Sequence, residues 1–125
     1  MMNTTETRPS IWVGHIALHT PKVRESCEFM QQIGMRLIEC EDNFGLLELR
    51  GGTHLVLTTE TDWDLLKNSF DLMVDDIDLA HSQFQLKGLV PGKIERGKIH
   101  DHFEVVEPGG AVILVNSSHV GDLPV

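Results

Sequence analysis

No apolar run in this sequence approaches the ~20 residues that a membrane-spanning helix needs. The opening stretch, MMNTTETRPS, lacks the apolar centre of a signal peptide and reads as a mobile polar lead-in over residues 1–10. Two cysteines, Cys27 and Cys40, give no disulfide framework. Basic residues are scarce. Ten Lys and Arg stand against nineteen Asp and Glu, a formal net charge of −9, and no basic cluster could neutralise several phosphates. The densest one, Lys93 to Lys98, is interrupted by Glu95 and reads as a solvated loop. These absences exclude nucleic acid and membrane as partners and lead to an expectation of cytoplasmic residence. With 41% hydrophobic residues the chain is not disordered, and 125 residues make one domain.

What is present is a repeat. HIALHTPKVRESCEFMQQIG, from His15, and SFDLMVDDIDLAHSQFQLKG, from Ser69, align at an offset of 54, which pairs Leu18 with Leu72, Val23 with Ile77, Met30 with Phe84 and Gly34 with Gly88. Each opens with alternating apolar residues, the period of a half-buried strand, and continues at helical spacing to a glycine, the usual residue past a helix C-terminus. Asp75, Asp76 and Asp78 suit the start of the second helix, where acidic side chains complement the helix dipole. Downstream, FGLLELRGGTHLVLTT and HFEVVEPGGAVILVNS align at an offset of 58, so the second copy has a connection four residues longer. Each reads as a hairpin with a glycine turn. A strand at Met35 to Cys40, with a weaker counterpart at Leu89 to Ile94, completes two β-α-β-β-β modules. The boundaries are 11–62 and 67–118 within one domain, 11–118, followed by a C-terminal tail, 119–125.

Paired modules of this kind, with GHIALHTPKV from Gly14, FDLMVDDIDLAHSQFQLKG from Phe70 and FEVVEPGGAVILV from Phe103, resemble the vicinal oxygen chelate superfamily. Its members include glyoxalases, extradiol dioxygenases, epimerases and bleomycin-resistance proteins. The resemblance implies an α+β fold in which the modules form a curved mixed sheet, a cup with one main helix per module on its outside. It also implies a homodimer and, in the family's enzymes, a divalent metal held on the first and last strands of each module. Those positions fall on His15, Ser69, Val56 and Leu114, so His15 alone retains a metal-binding side chain. Three protein ligands are the ordinary requirement. No metal and no cofactor are therefore expected at that ligand set, although a divergent divalent-metal site is admitted.

Side chains alternate across a strand. With His15 facing inward, Ala17 and His19 share its face, while Ile16 and Leu18 turn to the helix. Ser69, Asp71 and Met73 follow in the second module. The last strands add His54, Val56 and Thr58 opposite Val112, Leu114 and Asn116, and the middle strands add Leu46 and Glu48 opposite His102 and Glu104. The candidate ligand-binding residues are thus His15, Glu48, His54, Asp71, His102, Glu104 and Asn116. An apolar wall with a few polar groups suits a small molecule. The candidate catalytic cluster is His15, His102 and Glu104, a carboxylate beside imidazoles being suited to proton transfer. His100-Asp101-His102 has the look of a metal tract but sits in a loop entering a strand. Cys27 belongs to an apolar stripe with Val23, Met30 and Ile33. Trp12 and Trp63 are interface or lid aromatics, Trp63 beside the ligand entrance. Two classes of function stay open. A metal-free small-molecule-binding protein is preferred, and a glyoxalase-, dioxygenase- or epimerase-type enzyme is the alternative.

Overall fold

Val23 and Ile77, paired by the repeat, are the first residues of the two helices in the computed structural model, which describes residues 8–32, 34–63, 70–106, 108 and 112–125. The order is β1 (Ile11–Val13), β2 (His15–His19), α1 (Val23–Gln32), β3 (Arg36–Cys40), β4 (Phe44–Glu48), β5 (His54–Thr58), β6 (Leu72–Val74), α2 (Ile77–Leu86), β7 (His102–Val106) and β8 (Val112–Ser117). Asp76 caps α2, its side chain accepting from the Leu79 amide at 3.0 Å. Both helices stop in the same way. Gly34 and Gly88 take positive φ, 118° and 82°, and the next amides, of Met35 and Leu89, donate back to Met30 and Phe84 at 3.1 Å. No helix among the described residues is long and apolar enough to cross a membrane.

The mixed sheet comes as two four-stranded halves, ordered β2-β5-β4-β3 and β1-β6-β8-β7. In the first, β2 runs parallel to β5 with His15 beside His54, and β4 runs antiparallel to β5 with Leu46 beside Val56. In the second, β6 runs parallel to β8, and antiparallel β7 sets His102 beside Asn116 and Glu104 beside Leu114. The two halves are sewn together at Gly14. There the chain leaves β1, antiparallel to β6, and enters β2 in the other sheet. The Gly14 amide donates to the Asp71 carbonyl at 2.9 Å, and its carbonyl accepts from the His54 amide at 2.8 Å. A Cβ at this position would stand 2.6 Å from Met73 Cγ and 2.7 Å from Asp71 Oδ1. Only glycine allows so close an approach.

Each half has its own apolar core under its helix. Val23, Cys27, Leu47, Leu55 and Leu57 fill the first; Val74, Ile77, Ala80, Phe103 and Val115 fill the second. Met30 packs against the first core beside the buried Cys27, as the apolar stripe predicts, while Ile33 lies outside the described residues. Burial pushes the Cys27 thiol up to about 12, which keeps it protonated and unreactive.

Two expectations fail. Leu89 to Ile94 is not a strand, because Pro91 has no amide to donate to a ladder. Its backbone meets β7 where Gly92 donates to the Glu104 carbonyl at 2.8 Å, Ile94 packs against the core around Phe103, and Glu95, just past the segment, forms an isolated bridge with His102. Leu18 and His19 are exposed, belonging to neither core nor cup. They end β2, an edge strand of its sheet.

Candidate functional site

The concave faces of the two sheets enclose a cavity of about 470 Å³. Phe44, Leu46 and Val56 line it from the first half, and Val112, Leu114 and Asn116 from the second. Trp63, Phe70 and Ile99 extend the apolar wall from the connecting segments. Both modules of one chain therefore build the cup. The tryptophans part company: Trp63 lines this cavity, while Trp12 borders a separate one with Arg8 and Val125.

The polar part of the lining is a group of imidazoles. His15, at the head of β2, receives Asp71 from just before β6. Its amide donates to Asp71 Oδ1 at 2.7 Å, and its ring Nδ1 donates to the same carboxylate at 3.0 Å. That contact assigns the proton to Nδ1 and leaves a lone pair on Nε2. His15 Nε2 stands 3.2 Å from His119 Nε2. His100, on the connection entering β7, donates from Nδ1 to the Ser117 carbonyl at 2.6 Å, which leaves its Nε2 as an acceptor too. Its ring centre lies 5.2 Å from that of His15 and 4.0 Å from that of His119.

Arg96 holds the connection that presents His100. It bonds Asp78 of α2 at 2.7 Å and Asp101 at 2.9 Å. The pairs are exposed and add little stability, but they tie the loop to the helix. Burial lowers the pKa of His100, opposed by its Ser117 hydrogen bond. Burial, reinforced by the neighbouring imidazoles, pulls His119 down to about 4. Both rings are neutral at pH 7.

Behind the lining lies a second polar layer. His54 donates from Nε2 to Glu48 Oε2 at 2.7 Å, and Glu48 Oε1 accepts from Arg36 at 2.9 Å. His54 and Glu48 are both buried, and His54 Nδ1 has no hydrogen-bond partner. The His54 ring centre is 4.6 Å from that of His119.

The candidate residues thus separate into three groups. His15, Asp71 and Asn116 line the cavity. Glu48 and His54 sit behind it, joined to one another. His102 and Glu104 share a sheet face with Asn116 and Leu114 but are absent from the lining, and Glu104 is exposed. The structure does not assemble a His15, His102 and Glu104 cluster in the cavity; His100 takes the place given to His102. Two histidines of the lining stand outside the candidate list. His100 carried a signal, the look of a metal tract in His100-Asp101-His102, which its place in a loop discounts. His119 carried none, lying in a segment that reads as a tail. That segment folds back instead, and the Pro124 carbonyl accepts from Arg36 at 2.9 Å.

The ligand set implied by the resemblance does not fit a divalent ion. Val56 and Leu114 offer only hydrocarbon to the cavity, and Ser69 lies outside the described residues.

No family model matches the sequence, and no curated protein matches it. Solved structures do. A glyoxalase/bleomycin resistance protein/dioxygenase superfamily member from Vibrio splendidus matches with a TM-score of 0.51 at 18% identity, over 86% of this chain and 99% of that one. A protein from Legionella pneumophila, described as an NAD-dependent benzaldehyde dehydrogenase, matches with a TM-score of 0.51 at 16% identity, over 82% of this chain and 96% of that one. Two helix-bearing modules, sewn at Gly14 around one cup, give this chain the fold of the glyoxalase/bleomycin resistance protein/dioxygenase superfamily.

Proposed function

We propose that this protein binds a small amphipathic molecule in the cup, with the apolar body against Leu46, Val56, Val112 and Leu114 and a polar end at the imidazoles. One observation carries the reading: both halves of the chain line one cavity that is apolar over most of its wall and polar at one cluster. A volume of about 470 Å³ suits a molecule of drug size. The names of structural neighbours, glyoxalase, bleomycin resistance protein and dioxygenase, are those of proteins that handle small molecules. Val56 and Leu114, two of the positions at which the resemblance implies a metal, act in this reading as apolar wall.

The test uses chelator-treated full-length protein and the fluorescent probe 1-anilinonaphthalene-8-sulfonate. One probe per chain is expected, with loss of binding in Leu114→Trp, which fills the cup, and an unchanged circular dichroism spectrum. Probe binding that is indifferent to Leu114→Trp would place the apolar site elsewhere and end the reading.

A second reading, acid–base catalysis, draws support from the His15–Asp71 pair at 3.0 Å, since a carboxylate that orients an imidazole equips it to move a proton. A homodimer belongs to the proposal as well, supported by Leu37 and Ile38, exposed on the edge strand β3. Sedimentation at twice 14.0 kDa is the expected result, and a monomer at micromolar concentration removes this part.

A further inference from the structure

We infer that His15, His100 and His119 form a three-imidazole site for a divalent transition-metal cation, which keeps His15 of the strand positions and takes its other two ligands from outside the strands. Their ligating nitrogens all lie within 4.8 Å of one another. The three come from separate places in the chain: the head of β2, the enlarged connection before β7 and the segment after β8.

The hydrogen bonds around the rings favour ligation. A metal-binding histidine ordinarily gives its other N–H to a carboxylate or a carbonyl, which fixes the tautomer and aims the lone pair. His15 does so with Asp71 and His100 with the Ser117 carbonyl, so each directs Nε2 away from its hydrogen-bond partner. His15 Nε2 and His119 Nε2 are 3.2 Å apart. Nitrogens bound at ~2.0–2.1 Å to a tetrahedral ion stand about 3.3 Å from one another, so this pair already has the required spacing.

An independent observation lies beneath the cluster. His54 is 2% exposed, and its Nδ1 has no partner, an arrangement that is costly in a folded protein. Its ring packs 4.6 Å from His119 and 5.6 Å from His15, so the orphaned lone pair belongs to the same imidazole group. A cation, with the water it brings, supplies what this nitrogen lacks. The buried carboxylates of Asp71 and Glu48 supply compensating charge next to His15 and His54.

All-nitrogen ligation suits zinc, cobalt or nickel rather than calcium or magnesium. Three imidazoles leave a coordination position open, and these three also line the cup. Only the statement that this position faces a ligand rests on the small-molecule reading; the cation site does not.

The test is titration of chelator-treated full-length protein with cobalt(II), read by its visible absorption bands. One equivalent per chain is expected, with the intense bands of a four- or five-coordinate ion. Asp71→Asn weakens uptake by about 10–100-fold, and His100→Ala and His119→Gln, each checked for fold by circular dichroism, weaken it by more. His102→Ala leaves it unchanged. No uptake by the wild-type protein at micromolar cobalt overturns the site, as does uptake that survives His100→Ala or is lost in His102→Ala. Probe binding in the cup without cobalt uptake sinks the cation site alone, and cobalt uptake without probe binding sinks the small-molecule reading alone.

Discussion

The two halves of this chain agree in their scaffolds and disagree in their connections. Helices α1 and α2 begin at residues paired by the repeat and end on matching glycine turns, and a buried core lies under each. The contrast lies between helix and hairpin. In the first half, Arg36–Cys40 is a strand that pairs with β4 through one register shift between Leu37 and Glu39; in the second, the four-residue-longer stretch from Gly88 to His102 is irregular, and it carries His100 to the cup. His119 comes from a segment after β8 that stands outside the repeat. The repeated parts thus build most of the wall and supply His15, and the unrepeated parts bring two further histidines to it. A ladder of hydrogen bonds constrains every residue within it, whereas a connection is free to change length and aim.

Three measurements can break or sharpen this comparison. The largest effect is expected from the two cores. Phe103→Ala, at a fully buried position of the second half, costs about 3–5 kcal/mol, and Leu57→Ala, at a fully buried position of the first, about 2–5 kcal/mol. Urea unfolding followed by circular dichroism should show one transition in both variants, because the Gly14 seam joins the halves. Two separated transitions would make the halves independent folding units.

Next comes the Arg36, Glu48 and His54 layer of the first half. Glu48→Ala strips the buried His54 of its acceptor and Arg36 of its carboxylate partner, at a cost of about 3 kcal/mol. Glu104→Ala, on the exposed face of β7, changes stability by no more than about 0.5 kcal/mol. Equal costs in denaturant titration would erase the asymmetry.

The smallest effect is one of pH. His100 and His119 are both lowered from 6.5 in the folded protein, so the unfolded chain binds more protons below that pH. Stability is fully present above pH 6.5 and is lost as pH falls towards 4. After a discount for partial exposure, His119 accounts for about 1 kcal/mol of the loss at pH 5. With chelator present, His119→Gln should narrow the stability gap between pH 7.5 and pH 5. An unchanged gap would show that burial does not disfavour the charged ring.

The sequence made the scaffold legible because periodicity and glycine placement are local signals. Val23 and Ile77 could be paired without knowledge of any neighbour, and the Phe44 and His102 hairpins likewise. The site was legible only where it sits on that scaffold. His15, Asp71 and Asn116 are strand or strand-edge residues, and alternation placed them at the cavity. Alternation also selected His102 and Glu104, but β7 is the outer strand of its sheet, and sharing a face with Leu114 does not bring them into the lining. His100 and His119 depend on where connections travel, through the Arg96 pairs in one case and the fold-back of 119–125 in the other. No periodicity records such paths. The expected strand at Leu89 to Ile94 failed for a reason the sequence did contain, the missing amide of Pro91.

The crossing at Gly14 has a consequence for how this chain could be divided. If the two modules were separated, each fragment would remain incomplete. The leading piece would keep Ile11–Val13, a ribbon whose pairing partner, Leu72–Val74, lies on the trailing piece. The two fragments thus have reason to reunite through that pairing.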